Sequence, residues 1–224
     1  SSASSLTWES SAGIPDNAFS DCSTLSSVSL ASGVPSIGAE AFRNCESLTS
    51  FAVPAGTKSI AADAFDGCIN MTAINVAEGN SFFSSYNNVL YTVGGVALVR
   101  CPQGSTSISV YDGTKMISAN SFYGCGLGTV TLPESVTDIQ TNAFTGSSIE
   151  TLVLGSAVST FGEQAFQSIQ AIEIPGTAPV AAALLAQYGS EIVVTDYTGG
   201  GGDTENPGDT EDPGNTENPG DTEN

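Results

Sequence analysis

The chain has 224 residues, no histidine, and a formal net charge of −20 from 24 acidic against four basic residues. That balance excludes charge-driven binding to nucleic acid or to an anionic membrane, and the missing histidine removes His-based acid–base catalysis, Ser-His-Asp and Cys-His arrangements and His-containing zinc sites. At 40% hydrophobic the chain can bury a substantial core, which points to one folded unit, a monomer, followed by a tail.

The chain opens at Ser1 without methionine, which reads as a processed or truncated chain. Residues 1–13 are expected to form an N-terminal cap, with Leu6 and Trp8 laid over the open apolar end of the first repeat. From Ile14 one phrase recurs, Ala-Phe-x-x-Cys, at Ala18-Phe19 with Cys22, Ala41-Phe42 with Cys45, and Ala64-Phe65 with Cys68. Phe19, Phe42 and Phe65 are 23 residues apart, and Phe122, Phe144 and Phe166 are 22 apart. A fixed period of this length is the signature of a solenoid and lies in the range of leucine-rich repeats.

Each unit has two parts. Val28 and Leu30 alternate with Ser27 and Ser29, the period-two pattern of a strand with one buried face, and Phe51/Val53, Ile74/Val76, Val130/Leu132, Leu152/Leu154 and Ile172/Ile174 repeat it. Ile37, Ala41, Phe42 and Cys45 fall at helical spacing, which predicts a short helical turn on the return path. The expected fold class is therefore an α/β repeat solenoid of right-handed leucine-rich-repeat type, with a parallel β-sheet on one face and short helical turns on the other.

Between Phe65 and Phe122 the spacing breaks, and residues 80–107 are read as an insert. Val89–Val93 and Val96–Val99 flank Gly94-Gly95, a β-hairpin signal. The register resumes at Ile108–Val110, so strands near Leu30, Val53, Val76, Val110, Leu132, Leu154, Ile174 and Ile192–Val194 would form one parallel ladder of about 35 Å. Residues 175–198, with a short helix at Ala181–Tyr188, are read as a C-terminal cap within a solenoid spanning 1–198. Residues 199–224 repeat Asp-Thr-Glu-Asn-Pro-Gly without an apolar side chain and are read as a disordered acidic linker that continues past Asn224. Its carboxylates could hold calcium weakly, but a solvated spacer is the plainer reading.

Cys22, Cys45, Cys68 and Cys125 hold one place in the repeat and are expected as buried free thiols. Disulfides between neighbours remain the alternative. Cys101, outside the register, is expected to be the exposed one.

The phrases Ile37–Leu48 and Ile60–Cys68 resemble the BspA-like class of leucine-rich repeats, over about Ile14 to Ile174, and the insert Asn80–Tyr91 resembles that family's pre-hairpin segment. Asn88 stands where the family commonly has glycine, and the last units lack the cysteine. The resemblance implies a secreted or cell-surface bacterial protein used for adhesion or for binding a protein or glycan, a host extracellular ligand among the candidates, with no catalytic residues.

No cofactor and no metal site are expected, since zinc motifs bring cysteines two to four residues apart rather than 23. No catalytic residues are assigned. A carboxylate-based polysaccharide-active enzyme working through Glu150 and Glu173 is the remote alternative, and a structural spacer the bland one. Binding hot spots favour aromatic residues and arginine, so the candidate binding surface is Phe82, Phe83, Tyr86, Tyr91 and Arg100 on the insert, widened by Thr129, Thr131 and Thr151 on the sheet.

Overall fold

The structure, a computed structural model, describes residues 4–175, 178–189 and 193–196. The expected linker at 199–224 lies outside the described residues. Along the chain run β1 (Ser5–Trp8), β2 (Ser27–Leu30), β3 (Ser36–Ile37), β4 (Ser50–Val53), β5 (Ser59–Ile60), β6 (Ala73–Val76), β7 (Phe83–Tyr86), β8 (Val89–Thr92), β9 (Ala97–Arg100), β10 (Met116–Ile117), β11 (Thr129–Thr131), β12 (Asp138–Ile139), β13 (Thr151–Val153), β14 (Thr160–Phe161), β15 (Ala171–Ile174), α1 (Ala181–Tyr188) and β16 (Val193–Asp196).

Each repeat closes one coil with three segments: a strand, a two-residue corner strand, and a turn carrying Ala-Phe. Along the strand side the coils pair in parallel, Phe51 opposite Ile74 and Leu152 opposite Ile172, so the apolar members of each period-two pattern stack inward. One continuous ladder was expected, and three sheets are found: β1-β2, β4-β6 and β11-β13-β15-β16. β2 and β4 are neighbours without pairing. Ile108–Val110 forms no strand. Val110 keeps its place in the core, but the chain before it is the insert rather than a coil in parallel register.

The expected helical turns are absent; among the described residues the one α-helix is α1. The apolar spacing that reads as helical is produced instead by consecutive tight turns. In the first coil Ala18 N–H donates to Pro15 O, Ser20 to Asn17 O and Cys22 to Phe19 O. In every coil but the third, where only Gly67 does so, residues two before and two after the phenylalanine take left-handed backbone, as in Asn17 (φ 56), Asp21 (φ 61), Asn142 (φ 59) and Gly146 (φ 71). That explains the Asn, Asp and Gly found there, the residues that tolerate this conformation. The remaining amides then point along the solenoid axis: Asn17, Phe19 and Asp21 N–H reach Ala39, Ala41 and Arg43 O at 2.8, 2.8 and 2.7 Å. The turn column is thus a hydrogen-bonded ladder, and the cysteines sit inside it. Cys45 and Cys68 Sγ donate to Phe19 O at 3.3 Å and Phe42 O at 3.1 Å.

The phenylalanines stack in two columns. Phe19–Phe42 and Phe42–Phe65 centroids are 5.4 and 5.9 Å apart, and Phe122–Phe144 and Phe144–Phe166 are 4.7 and 6.2 Å apart. At the N-terminal end Leu6 and Trp8 lie opposite Val28 and Leu30, and the Trp8 ring meets Phe19 edge-on at 5.9 Å. At the other end Tyr188 of α1 meets Phe166 edge-on at 5.7 Å.

Between the columns stands the insert. The anticipated hairpin gains a third strand: β7, β8 and β9 form an antiparallel meander. β9 then pairs in parallel with β10, Leu98 opposite Ile117, so the meander takes the corner place of a missing coil. It also divides the core. Leu90 belongs with residues 14–74, while Val89, Tyr91 and Leu98 belong with residues 101–188.

Candidate binding surface on the meander

The turn joining β8 to β9 is Val93-Gly94-Gly95, with both glycines left-handed at φ 75 and 73. Glycine is required at 95 on two grounds, its backbone and its neighbours, because a Cβ there would lie 2.5 Å from Tyr111 Cδ1 and 3.1 Å from Tyr86 Cε2. The Tyr86 and Tyr111 rings stack at 4.2 Å. Around this turn stand Phe82, 47% exposed, and Val93 and Val96, each 51% exposed, with the rim of Tyr111 also open. Val93 N–H donates to Phe82 O at 2.8 Å, which ties the two side chains to one edge of the meander. Four of the seven exposed large hydrophobic residues among those described gather here; Ile69, Tyr123 and Leu185 lie elsewhere.

This patch overlaps the expected site without coinciding with it. Phe82 is exposed, and Phe83 and Tyr86 are half-buried. Tyr91 is fully buried, its hydroxyl oxygen accepting from Tyr111 N–H at 3.1 Å, and burial pushes its pKa up to about 12. It holds Tyr111 in place and has no surface to offer. Arg100 is also withdrawn, at 3% exposure, because its guanidinium pairs with Asp66 at 2.8 Å and donates to Ala62 O and Asn120 O at 3.4 and 3.1 Å. It bridges the coils before and after the meander. Thr129 and Thr131 are exposed and Thr151 half-buried, but they lie on β11 and β13, in a different sheet from the meander. Tyr111, Val93 and Val96 were missed. Tyr111 sits 20 residues from Tyr91 in what reads as repeat sequence, and single valines beside a Gly-Gly turn read as strand ends.

Cys101 is a second correction, since it is fully buried rather than exposed. Its N–H donates to Ser121 O at 2.8 Å and its carbonyl accepts from Cys125 Sγ at 3.5 Å, so it belongs to the turn column. It stands in the phenylalanine's place, 21 residues before Phe122, and that spacing was the available signal. All five cysteines are free, and Cys22 is the least buried. Among the described residues no group of three or more His, Cys, Asp or Glu side chains is placed to hold a metal.

The family described as BspA type leucine rich repeat region matches in six copies over residues 12–111 and 91–180. No curated protein matches the chain. Solved structures that share the fold include three bacterial proteins. A leucine rich cell surface protein from Faecalibacterium prausnitzii is 21% identical over 88% of this chain and 60% of its own, with a TM-score of 0.59. The pneumococcal vaccine antigen PcpA is 18% identical over 78% and 58%, at 0.51, and a leucine-rich repeat protein from Eubacterium ventriosum 17% identical over 77% and 60%, at 0.52. The chain thus spans about 60% of the length of these relatives.

Proposed function

We propose, since the chain belongs to the BspA type leucine-rich repeat family, that it is a non-catalytic binding module of a secreted or cell-surface protein, with the meander rim as its protein-binding surface. The observation that carries this reading is the gathering of Phe82, Val93, Val96 and Tyr111 around one rigid glycine turn. Exposed apolar patches rimmed by polar residues mark interaction sites, and the Tyr86–Tyr111 stack fixes the platform before any partner arrives, which lowers the ordering cost of binding. The likeness to a protein described as a cell surface protein supports the location. Among the described residues no helix is long and apolar enough to cross a membrane.

The test is a binding screen of the immobilised chain against purified extracellular proteins, run beside the double variant Phe82→Ser, Val96→Ser. Both sites are exposed, so the variant should fold normally. A partner held by the wild type and lost by roughly tenfold or more in the variant is expected; partners retained in full by the variant would move the site off the meander. Glu150→Gln and Glu173→Gln, assayed for release of reducing sugar, check the non-catalytic half of the reading. Any sugar release lost in either variant would overturn it.

A further inference from the structure

At the C-terminal end a cleft of about 720 Å³ opens between the turn of the sixth coil and α1. Its exposed side chains are Gln164, Gln167, Ser168, Gln170 and Gln187, with the hydroxyl of Tyr188 accepting from Gln187 Nε2 at 3.1 Å. In a chain of net charge −20, no charged residue lines it among those described. The carboxamides of Gln164, Gln167 and Gln170 make no hydrogen bond among the described residues, so each offers two donors and an acceptor to a ligand. The volume falls within the range of small-molecule sites.

The backbone adds fixed donors. In the first, second and fifth coils amides of the turn reach carbonyls of the next coil, so that Asn142 and Phe144 N–H donate to Glu163 and Ala165 O, each at 3.0 Å. After the sixth coil the chain turns away into α1, and the equivalent amides of Gln164 and Ser168 meet no acceptor among the described residues. Ser168 Oγ is held by Gly146 N–H at 3.1 Å, which leaves its own O–H free to donate.

We propose that this cleft binds a neutral oligosaccharide. A sugar hydroxyl both donates and accepts, as a carboxamide does, and a row of hydroxyls matches amides that have no charge to discriminate an ionic group. A carboxylate would find donors but no cation, and an ammonium group would find no anion, so the cleft favours uncharged ligands. The site is separate from the meander and does not rest on the reading given to it.

The test uses the full chain, labelled with nitrogen-15, titrated with maltotriose, cellotriose and chitotriose at millimolar concentration. Sialyllactose and an uncharged tetrapeptide of threonine, glutamine and asparagine serve as the other arms. At least one neutral trisaccharide should give saturable shifts of the Gln164 and Ser168 backbone amides and of the glutamine side-chain amides. In the double variant Gln167→Ala, Gln187→Ala the affinity should fall by roughly tenfold or more, with an unchanged melting temperature. Three results would overturn the proposal: no shift from any neutral saccharide, equal shifts in the double variant, or shifts from the acidic sugar or the peptide in place of the neutral ones.

Discussion

The coils before the meander keep a cysteine in every turn and brace their phenylalanines crosswise, Phe51 meeting Phe42 at 5.1 Å and Phe65 at 4.7 Å. The coils after it drop the cysteine once Cys125 is passed, put Ser147 and Ile169 in its place, and brace the column at its end, where Phe161 meets Phe166 at 5.4 Å. Both arrangements fill the same slot inside the turn column. What the slot requires is a buried side chain between coils, whether cysteine, serine or isoleucine, and the chemistry of sulfur is incidental to it. The two halves also have separate cores, and what joins them at the meander includes one buried ion pair. In a repeat protein stability is a sum of coil terms and neighbour terms; here the weakest neighbour term is expected at the seam.

The largest effect should come from breaking a column in the middle. Phe42→Ala and Phe144→Ala should each cost about 3–5 kcal/mol, and hydrogen exchange should place the loss in the half that carries the substitution. A melting shift no larger than that of the exposed control Thr72→Ala, or a loss spread evenly over both halves, would remove the comparison.

Cutting the seam comes next. Arg100→Met leaves Asp66 without its partner and should cost about 3 kcal/mol at neutral pH. Burial raises the Asp66 pKa above its ordinary value even with Arg100 beside it, so folding favours the protonated acid. That contribution is full below the unfolded value and is lost as pH rises through the folded one. Asp66→Asn should therefore gain on the wild type as pH is raised from acid toward neutral, and the cost of Arg100→Met should shrink in acid. Melting curves for the three proteins across that interval check both signs; parallel curves would show the pair to be solvated.

A smaller contrast separates Cys22 from the other thiols. Burial pushes Cys45 up to about 12 and Cys68 up to about 11, and Cys101 is raised well above its ordinary value. Maleimide at mild alkaline pH should label Cys22 alone in the native protein and all five thiols after denaturation without reductant. Native labelling of Cys101 would place it outside the turn column. The smallest effect is expected at the rim, where Phe82→Ser should change stability by no more than about 0.5 kcal/mol. A larger loss, read from the same melting curves, would make the exposed ring part of the fold.

The strands were legible because alternation along Val28–Leu30 or Leu152–Leu154 has one physical cause, a sheet with one buried face. The turns were misread because Ile37, Ala41, Phe42 and Cys45 share an inward direction for a different reason, a chain that doubles back through left-handed residues at Glu40 and Asn44. Apolar spacing records which side chains face the core and does not record the path between them. The two-residue corner strands are too short to carry a period. On the meander, Phe82 and Tyr86 were visible as aromatics outside the repeat, but exposure depends on what the neighbouring coil covers. A lone arginine in an insert reads as surface, and only the position of Asp66 one coil earlier shows why Arg100 is buried.

The axial ladder of the turns gives the molecule a direction of strength. A pull applied along the solenoid passes from coil to coil through bonds such as Phe19 N–H to Ala41 O, each lying along the line of force. At the meander the phenylalanine column stops, and Arg100 carries part of the connection by gripping Ala62, Asp66 and Asn120 together. The load also crosses through β8, which puts Leu90 in the first core and Val89 and Tyr91 in the second, and through Ile74 N–H to Asn88 O and Gly104 N–H to Met71 O, so the seam yields only when these go with the arginine.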